Sequence, residues 1–349
     1  METNIIEVNH ETLARDLEYF WKNFRPSPAV GIVGEPGIGK TEIVQNVARK
    51  LNLEYVYYNP VRRNPNTVTG IPFVKGDYAK WIPFETFKFL PEKTYVFHID
   101  ELTNAPPMIQ ASLLNVILER KAEDFTIPDN VHIVTSGNLS SHSKASFDFI
   151  EPLPSRLALY QLKPPTAEEW GIWAVQNGVH PLIITFIHLN PNLLLEKNGT
   201  VLYATPRGWA RAGKFVKDEL SLEDMGRIVS SFVGVNAGIA FRNWAVIRDQ
   251  LPRSLEDALL LKDEKFLNAL KEEKTDVIFY TITSLTKSEI LTKRFNDVPK
   301  FIEALEPEFQ IIAFRMFRTN EKWFTMLNTN KRLQDWAISK IKEWGATVR

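Results

Sequence analysis

The stretch GIVGEPGIGKT, residues 31–41, carries four glycines in eleven residues and ends on Lys40 and Thr41. Glycine loses more backbone freedom on folding than any other residue, so such a run is costly to order. It follows the apolar run Ala29-Val30-Gly31-Ile32-Val33, which reads as a buried strand. Residues 34–41 satisfy the pattern G-x-x-x-x-G-K-[ST] at every fixed position. Its glycines turn successive backbone N–H groups inward around an anion, and the helix that follows aims its positive end at the same point. Lys40 is placed to reach terminal phosphates and the Thr41 hydroxyl to hold Mg²⁺. The expected phosphate-binding residues are therefore Gly34, Glu35, Pro36, Gly37, Ile38, Gly39, Lys40 and Thr41, with ATP and Mg²⁺ as the expected ligands.

Outward from that loop, apolar strands alternate with helical patterns. Thr41 to Leu51 reads as a helix, Tyr55 to Tyr58 as a strand, and Thr94 to Ile99 as another. Pro107 to Arg120 reads as a helix with proline in its first turn, followed by strands at Val131–Thr135 and Leu157–Leu162. Strands separated by helices imply a parallel sheet covered on both faces. The fold class expected is α/β, a P-loop NTPase sheet sandwiched between helices. The strand Thr94–Ile99 runs into Asp100-Glu101. An acid at the carboxyl end of a neighbouring strand sits beside the phosphate loop. Asp100 is the expected second Mg²⁺ ligand, and Glu101 the base that polarises the attacking water. His98 is read as a residue packed within its strand.

The pattern changes after Lys163-Pro164-Pro165. Thr166-Ala167-Glu168-Glu169 is a capping box, Thr205-Pro206 reads as cap plus first helical proline, and Ser221-Leu222-Glu223-Asp224 opens a further helix. Almost everything beyond is helical. The expected domains are a nucleotide-binding domain over 1–163, a helical lid over 164–250 and a helical extension over 251–349. A hairpin insert is expected near 66–81, with its turn at Lys75-Gly76-Asp77.

The whole chain bounds this reading. Its 349 residues are 44% hydrophobic and 24% charged, as in ordinary globular proteins, and suffice for two or three domains. The 42 basic and 42 acidic residues cancel, and no Lys/Arg run is present, which argues against a dedicated duplex binder. Cysteine is absent, so disulfides and thiolate metal sites are excluded. No apolar run approaches bilayer length and the first residues lack a basic-then-apolar leader, so a cytoplasmic protein is expected.

With these motifs read, the chain resembles an AAA+ ATPase, and within that class the MoxR branch. FHIDELTNAPPMIQASLLNVILER, residues 97–120, is similar to the branch's strand, acidic pair and Leu-rich helix. NTVTGIPF, residues 66–73, resembles the entry into its hairpin insert. VTSGN, residues 134–138, resembles the sensor-1 strand, PLPSRLALYQL, residues 152–162, the segment bearing the arginine finger, and YATPRGWARAGK, residues 203–214, the sensor-2 helix of the lid. The resemblance spans about residues 10–250. It implies that Asn138 orients the attacking water or meets the γ-phosphate. It implies that Arg156 reaches a neighbouring subunit's nucleotide, and that Arg207 contacts bound anion from a helix's first turn. The finger segment reads Pro-Ser-Arg-Leu where the family has Asp-Arg-Phe, so a nearby basic residue remains an alternative to Arg156. Leu139 stands where the family often has proline, and Ser140–Ile150 is a longer insert than the family's.

The implied activity is ATP hydrolysis in a homo-oligomeric ring, six subunits by resemblance, that remodels a protein client. MoxR-like ATPases often work with a protein bearing a von Willebrand factor A domain. The alternative from a related branch is a motor or loader acting on nucleic acid. A metabolite kinase is a third reading; it would need an acceptor pocket and no arginine placed for a neighbour.

Overall fold

The computed structural model describes residues 5–64, 68, 70–138, 153–196 and 202–347. Asn66, Thr67, Thr69, Leu139, Ser140–Ile150 and Pro152, all used in the resemblance above, lie outside the described residues. The chain forms two compact units, Met1–Pro165 and Thr166–Arg349.

The first unit runs β1 (Ile6–Val8), α1 (His10–Asn23), β2 (Val30–Val33), α2 (Lys40–Lys50) and β3 (Glu54–Tyr58). The hairpin β4 (Ile71–Lys75) and β5 (Tyr78–Ile82) follows, then β6 (Tyr95–Ile99) and α3 (Pro107–Leu118). A small hairpin, β7 (Lys121–Ala122) and β8 (Phe125–Thr126), leads to β9 (Val131–Gly137) and β10 (Ala158–Leu162). Six strands make one sheet in the order β1-β10-β2-β9-β6-β3, every neighbouring pair parallel. All residues of β2, β6 and β9 are buried, as befits central strands covered on both faces.

Side chains alternate along each strand, so the two faces of the sheet differ in chemistry. One face carries Phe97, Ile99, Val131 and Ile133, packed in a single apolar cluster with Ile109, Leu113 and Ile117 of α3. The other carries Tyr55, His98, His132 and Ser136, while Thr135, opposite Ile99, stays on the α3 face. On α1, the buried residues Leu13, Leu17 and Trp21 recur every four positions and form one stripe. Asn9 caps this helix, its Oδ1 accepting from Thr12 N at 2.9 Å. Trp21 stacks on the buried His132 ring at 5.8 Å.

The expected turn at Lys75-Gly76-Asp77 closes β4 onto β5, with Lys75 opposite Tyr78 and Gly76 at φ +66°. The hairpin is exposed on both faces, Val74 at 73%. Trp81 N donates to Asp124 Oδ2 at 2.7 Å and ties the hairpin to the turn between β7 and β8.

The second unit is helical. Thr166 and Glu169 form the expected capping box, and Thr205 Oγ1 accepts from Gly208 N at 3.0 Å at the start of the helix Pro206–Phe215. The helix Thr275–Lys287 is buried almost all round, which marks a central helix. Its hydroxyls cost little there, because Thr281, Thr283 and Thr286 donate to the carbonyls of Val277, Phe279 and Ile282. Residues 164–250 and 251–349, read above as lid and extension, share one apolar core: Trp170, Trp209 and Phe241 lie in the same cluster as Phe266, Phe301 and Trp344.

His132 links this packing to pH. Burial first, then the charges of Arg25 and Arg120, push its imidazole down to about 4. The folded form thus binds the proton less well than the unfolded chain, whose histidine titrates near 6.5. Stability held above that value is lost as pH falls from about 6.5 toward 4, at ~1.4 kcal/mol per pH unit per proton taken up. His132→Asn, which keeps a polar atom near Nδ1 for Ser27, is expected to lower proton uptake on unfolding by about one. Denaturant titrations between pH 4 and 7 read this directly as a shallower acid limb.

Candidate functional site

The site is built where three parallel strands end together. Register places Val33 of β2 opposite Gly137 of β9, and Ile99 of β6 opposite Thr135. The residues that follow, Gly34, Asn138 and Asp100, therefore emerge along one carboxyl edge, with β9 between its two partners. Gly39, at φ +104°, caps α2 without a side-chain hydrogen bond. That conformation suits glycine, and it lets α2 begin directly behind the loop.

Lys40 lies buried at the centre. Its Nζ donates to Gly34 O at 2.9 Å, Glu35 O at 2.8 Å and Asn138 Oδ1 at 2.9 Å. Asn138 is fixed from behind: its N–H donates to Thr103 Oγ1 at 2.8 Å. Gly137 permits this approach, since a Cβ there would lie 2.5 Å from Thr103 Oγ1. His10, at the start of α1, donates from Nε2 to Ile38 O at 2.7 Å and so holds the loop from outside.

Thr41 Oγ1 donates to Asp100 Oδ2 at 2.9 Å. Ser136 donates to Asp100 Oδ1, and Glu101 N donates to the same oxygen at 3.0 Å. Burial alone would raise the Asp100 carboxyl. The adjoining His98, the two hydroxyls and the Glu101 N–H outweigh it and hold Asp100 below its ordinary value. Burial pushes His98 down to about 4 against the pull of Asp100, so His98 is neutral at pH 7 and the hydroxyls and N–H carry the stabilisation.

A hydroxyl beside an ionised carboxylate is a hard-oxygen pair of the kind Mg²⁺ takes, together with water and phosphate. Among the described residues no group of three or more His, Cys, Asp or Glu could hold a metal by itself. The hydroxyl and carboxylate fit a cation that arrives with a phosphate, and Thr41 and Asp100 are the residues that would hold it.

Glu101 adopts the left-handed conformation, φ 60° and ψ 31°, uncommon for a residue with a side chain. It is exposed, and its Oε2 accepts from Asn59 Nδ2 at 3.1 Å. Asn59 follows β3, neighbour of β6, and its Oδ1 also accepts from Val61 N at 3.0 Å. The sequence reading did not single out Asn59. The available signal was a polar residue directly after a strand next to the acidic one.

Of the residues expected from sequence, Lys40, Thr41, Asp100 and Asn138 come together, and Glu101 adjoins them. Arg156 lies in the turn Pro154–Arg156, its side chain 55% exposed and 3.2 Å from Glu119 Oε1 at the end of α3. Arg207 follows Pro206 in the first turn of its helix, in the second unit.

Sheet order, phosphate loop and acidic strand end give the first unit a P-loop AAA+ fold. Residues 29–149 match the family model described as AAA domain (dynein-related subfamily). No curated protein matches the chain. Among solved structures, a RuvB mutant of Thermotoga maritima is 16% identical over 82% of this chain and 86% of that one, with a TM-score of 0.40. A second such mutant is 16% identical over 83% and 87%, with a TM-score of 0.41. The Thermotoga maritima RuvB Holliday junction branch migration motor is 17% identical over 76% and 75%, with a TM-score of 0.40. Among the described residues no helix is long and apolar enough to cross a membrane.

The Lys40 geometry yields a direct test. Removing its ammonium deletes charge-assisted hydrogen bonds to bound phosphate. Lys40→Ala is expected to weaken ATP binding at least roughly a hundredfold. Equilibrium titration with a fluorescent ATP analogue measures it, and retained micromolar affinity would exclude the site.

Proposed function

We propose that this protein is a MoxR-like ATPase that hydrolyses ATP with Mg²⁺ in a homo-oligomeric ring, of six subunits, and uses the cycle to remodel a protein client. The observation that carries the reading is the meeting of Lys40 with Asn138 and of Thr41 with Asp100 at one sheet edge. Mg²⁺ bound there would screen phosphate charge and orient the triphosphate. Lys40 and the loop N–H groups hold the β- and γ-phosphates, and Asn138 faces the position of the γ-phosphate. Glu101, once free of Asn59, takes the proton from the attacking water. Arg156, in this reading, leaves its exposed pairing with Glu119 to neutralise transition-state charge in the next subunit. Such a surface ion pair is worth little, so exchange is inexpensive. Arg207 stands in the first turn of its helix, where a cation opposes the helix dipole and a bound anion would relieve it.

The hairpin supports a protein client. Ile71, Phe73, Val74, Tyr78 and Ile82 are all exposed on it, an apolar surface suited to non-polar segments. One of its faces also favours the second reading, nucleic acid, because Phe73 pairs with Lys80 and Lys75 with Tyr78. Aromatic and basic groups interleaved in this way suit a single strand.

Glu101→Gln keeps the geometry and removes the base. It is expected to bind ATP like the parent and hydrolyse it at least about a hundredfold more slowly. Held in that ATP state, it should retain an unfolded polypeptide and not single-stranded DNA; DNA-stimulated turnover of the parent would favour the second reading instead. Arg156→Ala should bind ATP yet be inactive alone. Mixing it with Lys40→Ala subunits should restore part of the turnover, since each variant supplies what the other lacks. A mixture that stays inactive at every ratio removes the case for a finger acting between subunits.

A further inference from the structure

Behind Asp100 runs a chain of polar side chains that the reading above leaves without a task. Tyr55 OH lies 2.8 Å from His98 Nδ1, and His98 Nε2 lies 2.9 Å from Ser136 Oγ, which in turn donates to Asp100. His98 and Ser136 are fully buried. Four groups face the His98 ring: the Tyr55 hydroxyl, Ser136, the edge of the Tyr57 ring at 6.4 Å, and Asp100 Oδ1 at 4.0 Å.

The direction of every hydrogen bond in the chain follows from its end. An ionised carboxylate only accepts, so the single Ser136 proton points at Asp100. Ser136 Oγ must then accept, which places the imidazole proton on Nε2. Nδ1 is left as an acceptor, so Tyr55 donates to it. Turning the Ser136 proton round would leave its oxygen and Asp100 Oδ1 facing each other as two acceptors. A half-satisfied buried polar group costs more than a hydrocarbon in its place. Val or Ile would fill the strand position of His98 without any of these demands.

We propose that Tyr55, His98 and Ser136 are positioning residues for the cation site: they lock one hydroxyl proton onto Asp100 Oδ1 and so hold the carboxylate with Oδ2 presented toward Thr41 and the cation. The proposal rests on the reading of Thr41 and Asp100 as Mg²⁺ ligands. Groups that orient a metal ligand from behind typically change metal affinity 10- to 100-fold when removed. Without Ser136, Asp100 Oδ1 keeps only the Glu101 N–H. Without the Nε2 donor, the Ser136 hydroxyl is free to turn its proton away.

The test reads metal dependence and not turnover. A fluorescent ADP analogue is titrated against the full chain across a Mg²⁺ series and again in EDTA. Ser136→Ala and His98→Leu are expected to raise the half-saturating Mg²⁺ about tenfold, with affinity in EDTA unchanged. His98→Gln carries an amide N–H near the place of Nε2 and is expected to stay within about threefold of the parent, whereas His98→Asn, too short to reach Ser136, behaves like His98→Leu. Tyr55→Phe falls between. Thermal melts accompany each variant, and Ser136→Ala, the least disruptive, decides if His98→Leu is unfolded. An unchanged Mg²⁺ requirement in Ser136→Ala overturns the proposal, as does equal weakening in Mg²⁺ and in EDTA, or His98→Gln as impaired as His98→Leu. Those outcomes leave the phosphate site standing. A parent chain whose ADP-analogue binding ignores Mg²⁺ would instead remove the cation site and the proposal with it.

Discussion

The placement of β9 between β2 and β6 is the constraint on which the first unit depends. Parallel strands deliver their carboxyl ends to one edge, but only register decides which residues meet there. With Val33 beside Gly137 and Ile99 beside Thr135, the phosphate loop, Asn138 and Asp100 leave the sheet along the same edge. A slip of one residue would move His98 and Ser136 to the α3 face and bring Phe97 and Thr135 round in their place. The apolar cluster of Phe97, Ile99 and Ile133 with α3 therefore does more than stabilise the fold. It forbids the slip, and so specifies a polar site it never touches.

Legibility in the sequence followed the range of the interaction. The phosphate loop was readable because its glycines, Lys40 and Thr41 act through a short local geometry at fixed spacing. The hairpin turn was readable for the same reason, with Gly76 supplying the positive φ. Asp100 was readable because it ends an apolar strand. The edge strand β1 escaped notice: three residues give no periodicity, and only pairing with β10 defines it. Asn59 and Glu101 are 42 positions apart, and nothing local to either announces the contact. His98 shows the limit most clearly. Within Tyr95–Ile99 it reads as a packed strand residue, and it is fully buried. Its partners Tyr55 and Ser136 lie on the two flanking strands, 43 and 38 positions away. Arg156 and Arg207 mark another limit, since their expected roles involve a second subunit and a second domain unit.

Glu101 and Asp100 are consecutive yet sit in opposed environments, and the backbone explains how. Asp100 is drawn inward by Ser136, Thr41 and the N–H of Glu101 itself. Turning that N–H back onto Asp100 Oδ1 accompanies the left-handed conformation at Glu101. The same turn sends the Glu101 side chain outward to Asn59. The strained residue is thus the hinge between a carboxylate fixed inward and one that Asn59 holds but that stays exposed. A residue in this region persists only where the surroundings over-determine it, and here three hydrogen bonds to Asp100 do so.

The two sheet faces then divide the remaining work. Hydrocarbon on the α3 side tolerates changes of shape at modest cost, because packing is its only requirement. The polar side does not tolerate partial change. From Tyr55 to Asp100 each member is hydrogen-bonded to the next, and removal of one leaves its neighbours unpaired. Such a chain is expensive to keep merely for stability, since apolar side chains would serve there as well or better. Its presence beside Asp100, and its absence from the opposite face, argue that the orientation of one carboxylate is what the buried polarity secures.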